Sequence, residues 1–219
     1  LDQNLKNNGF ITFTNTNVSR AGEFYDANVS GISTNFNTKN NDYFIETQAV
    51  VSNIINSNDN SLGHTWGIEG GKQRGNLTYG VEYYEESDTY NPNDLGFLRA
   101  NNSRVGEIFI GYRNFNPKNK KLNKYFTSAS FTSEWLYAPN LFGGNFWNAR
   151  ATMISNSFNA AGIRISGTLN ESNDYFEPRG DIIGEEKFIR PVWTSIRAWF
   201  SSNYQKKFAI DVGLGYVFV

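Results

Sequence analysis

The chain has 219 residues, 20 Lys and Arg against 21 Asp and Glu, no cysteine and one histidine. The near-balanced charge lacks the basic excess of a nucleic-acid binder, and the absence of cysteine rules out disulfides and thiolate metal sites. No stretch approaches the roughly 20 consecutive apolar residues of a membrane helix, which leaves membrane strands open, because their hydrophobicity is hidden in alternation.

Period-two alternation and the turn chemistry between segments predict eleven strands. The first three cover about 8–16, 24–37 and 42–55, with Thr38–Asn41 as the turn after the second. The fourth and fifth (63–73 and 76–87) flank Arg74–Gly75, and the sixth and seventh (103–114 and 123–137) flank Pro117–Lys121. The eighth and ninth (145–156 and 160–170) flank Asn156–Asn159, and the last two (192–202 and 208–219) flank Asn203–Lys206. No segment of a dozen residues keeps a 3.6-residue apolar period, so almost no helix is expected.

Alternate connections are short, and those between them tend to be longer, with extremes at Ser87–Asn102 and Glu171–Pro191. Short turns at one end and long loops at the other are the layout of an outer-membrane barrel, with the short end periplasmic. A β-sandwich also has loops at two ends, but Greek-key crossings would not sort them by parity. The expected fold is therefore all-β: an antiparallel up-and-down transmembrane β-barrel, with residues 1–219 as one domain. Bacterial single-chain barrels usually have an even strand count, so an odd count of eleven predicts strands outside this segment at one or both ends.

The two faces of the strands differ in kind. Ile163, Ile165 and Leu169 alternate with Arg164, Ser166 and Thr168, and Val212, Leu214, Tyr216 and Phe218 alternate with Asp211, Gly213, Gly215 and Val217. Charges facing a soluble core are costly, whereas a barrel in lipid turns the apolar parity outward and the polar parity inward. That assignment places Glu46, Glu69, Glu82, Glu107 and Glu134 in the lumen on strands three to seven, followed by Arg150, Arg164, Arg197 and Asp211 on strands eight to eleven. The lumen would then have an acidic wall and a basic wall, and a transverse field that discriminates solutes by charge. The alternative is that these charges pair across a narrow lumen and plug it. Aromatic residues make up 16% of the chain and suit interfacial girdles.

Little points to catalysis. The carboxylates fall one per strand without a close second acid or base. His64 is the only histidine a Ser–His–acid triad could use, and it reads as an ordinary residue near a loop. Gly70–Gly71 reads as a bulge or bend. No metal site, cofactor or nucleic-acid partner is expected; the expected partners are outer-membrane lipid and other outer-membrane or periplasmic proteins, the latter met through aromatics such as Trp135, Tyr137 and Trp147.

Two loops carry distinctive runs. One is Tyr90, Asn91, Pro92, Asn93, Asp94, Leu95, Gly96, Phe97 and Leu98, continuing to Asn101 and Asn102. Its turn formers enclose apolar residues that call for a dry site. The other is Asp174, Tyr175, Phe176, Glu177, Pro178, Arg179 and Gly180, running on to Phe188–Pro191. Either loop reads as gating the lumen or as folding inward to seal it with pairs of the Glu177–Arg179 type. The runs YNPNDLGFLRANN and YFEPRG, with Asn17–Arg20, Tyr25, Gly31 and Lys206–Lys207, resemble a family of Gram-negative outer-membrane proteins. Its members join a periplasmic domain, similar to carbohydrate-binding module family nine, to a C-terminal barrel of unknown function. The resemblance implies a barrel in a bacterial outer membrane. The sugar-binding-like domain lies outside this region, so no sugar-binding residue carries over. The resulting expectation is a charged polar lumen acting as a channel or transporter, with a plugged barrel serving an outer-membrane complex as the alternative and a hydrolase using His64 ranked last.

Overall fold

The structure is a computed structural model in which residues 1–56, 59–94 and 96–219 are described. Long alternating segments become long strands, with no α-helix among the described residues. The strands are β1 (Asp2–Asn4), β2 (Phe10–Val18), β3 (Asp26–Asn37), β4 (Tyr43–Ile55), β5 (Asn60–Lys72), β6 (Leu77–Glu86), β7 (Ser103–Asn114), β8 (Leu122–Trp135), β9 (Phe142–Ser155), β10 (Ala160–Thr168), β11 (Ser172–Asp174), β12 (Phe188–Arg190), β13 (Thr194–Ser201) and β14 (Asp211–Phe218). All eleven expected strands are present. Three short ones were not foreseen: β1 and the β11–β12 pair, which sits inside a segment expected to be loop. A three-residue strand is too short to show alternation.

The main antiparallel sheet has twelve strands in the order β1-β2-β3-β4-β5-β6-β7-β8-β9-β10-β13-β14. This is a meander in chain order without Greek-key crossings. The order is open, with β1 and β14 as its terminal strands. The count of eleven is thus corrected to twelve in the sheet, β1 being the addition. The parity of the connections holds for the long loops but fails elsewhere. The β4–β5 connection is only 56–59, while the β13–β14 connection extends over 202–210. Gly70 and Gly71 pair regularly with Ile45 and Phe44, so they form no bulge.

The short turns follow from their residues. Asn41 takes a left-handed conformation (φ 56°) that asparagine tolerates, and the Thr38 hydroxyl accepts from the Asp42 and Tyr43 amides at 3.1 Å. Asn159 Oδ1 accepts from the Asn203 amide at 3.0 Å and Asn203 Nδ2 donates to the Ser157 carbonyl at 2.9 Å, which ties two neighbouring turns together.

Contacts divide the chain into two compact units. One is Leu1–Gln73 with Val81–Gly106 and Glu134–Phe142; the other is Arg74–Gly80 with Glu107–Ser133 and Gly143–Val219. Directly opposed residues of an antiparallel pair share a face, so register sorts the side chains of each unit. In the first unit, Phe13, Ile32, Ala49 and Trp66 form one row, and Phe36 lies opposite Ile45 on the same face. The other face carries Thr12 and Ser33, then Gln48 and Gly67, then Ser52 and Gly63. In the second unit, Ala151, Ile163, Ala198 and Leu214 form one row, and Ala149, Ile165, Ile196 and Tyr216 the next on that face.

The apolar faces are the exposed ones. Phe13, Ile32, Ile45, Val51, Ile163, Val212 and Leu214 all stand open, Leu214 at 76%. The buried hydrophobic residues among those described are Ala27, Tyr90, Leu136 and Tyr175, fewer than the buried polar ones, which include Ser52, Thr65, Glu86, Asn102 and Ser195. A soluble domain places its aliphatic residues inside, and contiguous exposed apolar area marks an interface or a membrane surface. Strand length points the same way: β4 and β5 each have 13 residues and β8 and β9 each have 14. Ordinary strands average about 5–6 residues, whereas a tilted membrane strand needs roughly 9–11.

Candidate functional site: the polar face and the loops that pack on it

The strand charges that alternation singles out, from Glu46 to Asp211, sit at the polar parity of their strands, whereas Glu85 and Arg104 sit at the apolar parity. Glu46 lies directly opposite Glu69 and accepts from Asn35 Nδ2 at 3.2 Å. Glu82 shares its parity on β6 with Tyr84 and Glu86. Glu107 accepts from the Thr132 hydroxyl at 2.9 Å, and Glu134 follows on the parity of Thr132. Arg150 is opposite Arg164, and Arg164 is opposite Arg197, so three guanidinium groups stand in one row across β9, β10 and β13. Asp211 opens β14 and accepts from the Tyr204 hydroxyl. Like charges directly opposed on neighbouring strands repel, so the glutamate pair of the first unit and the arginine row of the second each suit a surface that water and counter-ions can reach.

The 87–102 loop folds back onto this polar face. Ser52 and Gly63 are a directly opposed pair on it. The Asn91 amide donates to the buried Ser52 hydroxyl at 2.9 Å, and the Thr89 hydroxyl donates to the Leu62 carbonyl at 2.8 Å. A Cβ on Gly63 would lie 2.3 Å from Tyr90 Cα, so only glycine admits the loop backbone there. Tyr90 is 8% exposed. Burial, reinforced by Tyr84 and Glu86, pushes its phenol above the usual tyrosine range.

The base of the loop is closed by asparagines. Asn101 Nδ2 donates to the Asp88 and Tyr90 carbonyls at 2.7 and 2.8 Å. Asn102, left-handed at φ 68°, exchanges two 2.8 Å bonds with the backbone of Ala138. Asp94 pairs with Arg20, whose guanidinium stacks 4.4 Å from the Tyr25 ring centre. The Asp94 bond holds the Arg20 guanidinium above its already high range. Two of the segments that carry the family resemblance, 17–25 and 90–102, therefore meet at one contact.

The apolar loop residues behave differently from expectation. Phe97 is 89% exposed, and Asn93 Oδ1 accepts from the Leu98 amide at 2.7 Å beside it. The dry position belongs to Tyr90 instead. Leu95 lies outside the described residues. Pro92, next to the bonded Asn91, is half-buried, and Gly96 is exposed.

The 169–193 loop also packs on the polar parity of its own unit. A Cβ on Gly144 would lie 2.8 Å from Ser172 Cβ, and Ser172 and Tyr175 are both buried. Asp174 Oδ1 accepts from the Phe176 and Glu177 amides at 3.0 and 3.1 Å, and Asp174 also pairs with Arg190. The expected Glu177–Arg179 pair is therefore replaced by Asp174–Arg190, the pair that closes the β11–β12 hairpin. Arg179 takes a left-handed turn conformation (φ 57°) just after Pro178.

A third cluster lies on the apolar face, where that face gives way to polar residues. The row Asn15, Ser30, Val51 and His64 marks this boundary, and the next row on the loop side holds Asn17, Asn28, Asn53 and Leu62. Glu85 is held there by Arg104 Nε at 2.7 Å, the Tyr83 hydroxyl at 2.8 Å and Trp66 Nε1 at 3.2 Å. Arg104 also donates to Asn140 at 2.8 Å and stacks over Tyr137 at 4.7 Å. His64 lies 3.6 Å from Glu85 and edge-on to Tyr137. Among the described residues no serine or threonine hydroxyl bonds to the His64 ring, so the triad expectation finds no nucleophile. Sequence reasoning missed Glu85–Arg104 because both sit on the apolar parity, and missed Ser52 and Gly63 because their partner is a loop backbone.

The sequence model of one family, described as a domain of unknown function (DUF5916), matches residues 1–219. No curated protein and no solved structure matches the chain.

Proposed function

We propose that this chain, which belongs to the DUF5916 family, forms a transmembrane β-barrel, or most of one, in a bacterial outer membrane. Its polar parity lines a water-filled lumen that the two long loops narrow. The observation that carries this reading is the inversion of the faces: aliphatic rows such as Ala151–Ile163–Ala198–Leu214 are exposed, while Ser52, Thr65 and Ser195 are buried. A bilayer satisfies both faces at once. The resemblance of the two loop motifs to outer-membrane barrels supports the same reading, and so does the polar cluster at the edge of the apolar face.

The lumen would pass small charged solutes, selected by its glutamate and arginine rows. The second reading, a plugged barrel serving as an accessory subunit of an outer-membrane complex, is favoured by one observation: the 87–102 loop is bonded down onto the polar face. Conductance in planar bilayers separates the two. The channel reading predicts discrete openings by the intact protein and larger ones after 88–101 are replaced by a short Gly–Ser linker. Silence from both proteins, refolded and inserted, would remove the channel and favour the plugged accessory.

A further inference from the structure

We infer that the polar face of the second unit holds a binding site for a small oligoanion, built on Arg150, Arg164 and Arg197. The register sets these residues side by side. Neighbouring strands lie about 4.8 Å apart, so the three groups span roughly 10 Å. Arg150 Nε donates to the Ser128 hydroxyl at 2.8 Å, and Arg164 Nε donates to Asn148 Oδ1 at 2.6 Å. Both partners are neutral, and both bonds use the inner nitrogen, which leaves the terminal fork to meet a ligand. Among the described residues none of the three arginines has a carboxylate within ion-pair distance.

Three directly opposed like charges without a counter-charge are an unfavourable arrangement for a sheet. It becomes favourable when an anion bridges them through bidentate guanidinium contacts. A second observation points to the same place. A hollow of about 340 Å³ opens beside Arg150, lined on the polar face by Thr78, Arg113, Phe126, Ser128 and Thr152 over Gly111. It offers hydroxyl donors and a further guanidinium around a volume suited to a few phosphate or carboxylate groups. The row and the hollow together fit a soluble ligand carrying two or three such groups, not a lipid headgroup, because they lie on the parity opposite the exposed aliphatic rows.

This inference rests on the proposed function only in requiring that the polar face be wet, so its test is kept apart from conductance. Sodium tripolyphosphate and propane-1,2,3-tricarboxylate are titrated calorimetrically into the full chain refolded in detergent, with sodium chloride as the reference salt. Binding of either is expected, and the stronger of the two identifies the phosphate or carboxylate source. Arg164→Gln is expected to weaken binding at least tenfold, and Arg197→Gln to weaken it less, because the central position touches both neighbours. Without ligand, Arg164→Gln is expected to melt higher than the parent, since two like-charge contacts are relieved, and the added anion is expected to raise its melting temperature less than it raises the parent's. Should Arg164→Gln fail to fold, Arg197→Gln and the ligand-induced melting shift of the parent carry the test. No binding of either probe by folded protein, or equal binding by the parent and the glutamine variants, overturns the site. Binding, with both the intact and the loop-replaced protein silent in bilayers, leaves the site standing and removes the channel.

Discussion

Ile163→Arg is expected to destabilise the protein by about 2–4 kcal/mol when it is folded into phospholipid vesicles, the cost of a cation on the lipid side of a membrane strand. Ile163 is 42% exposed, between Ala151 and Ala198 on the apolar face. In a water-soluble protein the same change at so exposed a site would fall within about 0.5 kcal/mol. Ser166→Glu, three residues on and on the opposite parity, is the matched control. It faces Asn148 and Ser195 beside the arginine row, and its cost is expected to stay below about 1 kcal/mol. Urea titrations followed by tryptophan fluorescence give both numbers. A mild Ile163→Arg together with a severe Ser166→Glu would mean that the faces have been assigned the wrong way round.

Gly63→Val is expected to release the 87–102 loop without dismantling the sheet. The valine Cβ would fall 2.3 Å from the Tyr90 backbone, and a main chain cannot yield as a flexible side chain does. The loop would lift away, losing the Asn91–Ser52 and Thr89–Leu62 bonds and uncovering Tyr90. Overpacking of this kind costs about 1–3 kcal/mol. Limited proteolysis should cut within 88–101 at least ten times faster than in the parent, while far-ultraviolet circular dichroism stays that of a β-sheet. An unchanged cleavage rate would show that the loop does not rest on Gly63.

Much of this fold is legible in the sequence because its signal is local. Each strand declares its two faces by alternation, and Asn41 and Gly75 supply the left-handed conformations of tight turns. All eleven expected strands therefore appear. The contacts that are not legible connect distant segments. Arg20 meets Asp94 across 74 positions, and Ser52 holds Asn91 through a backbone amide that carries no sequence signature. Alternation likewise says that Arg150, Arg164 and Arg197 share a face but not that they share a row, because a row depends on register, which the turns fix to the residue. The same limit applies to Phe97: an apolar residue in a loop suggests burial, yet Phe97 stands exposed beside the Asn93–Leu98 bond.

The absence of native cysteine makes single-cysteine labelling the most direct test of which face meets lipid. Nitroxide labels placed one at a time along 161–167 and 194–200 of the protein in vesicles would be read for collisions with oxygen, which concentrates in hydrocarbon, and with a neutral nickel chelate, which stays in water. An apolar parity facing lipid gives oxygen maxima at 163, 165, 196 and 198, and chelate maxima at 164, 166, 195 and 197. Labels at 163, 165 and 196 shielded from both reagents, in a protein that stays monomeric without detergent, would instead mean that these side chains are packed inside a water-soluble sandwich, and would contradict that orientation.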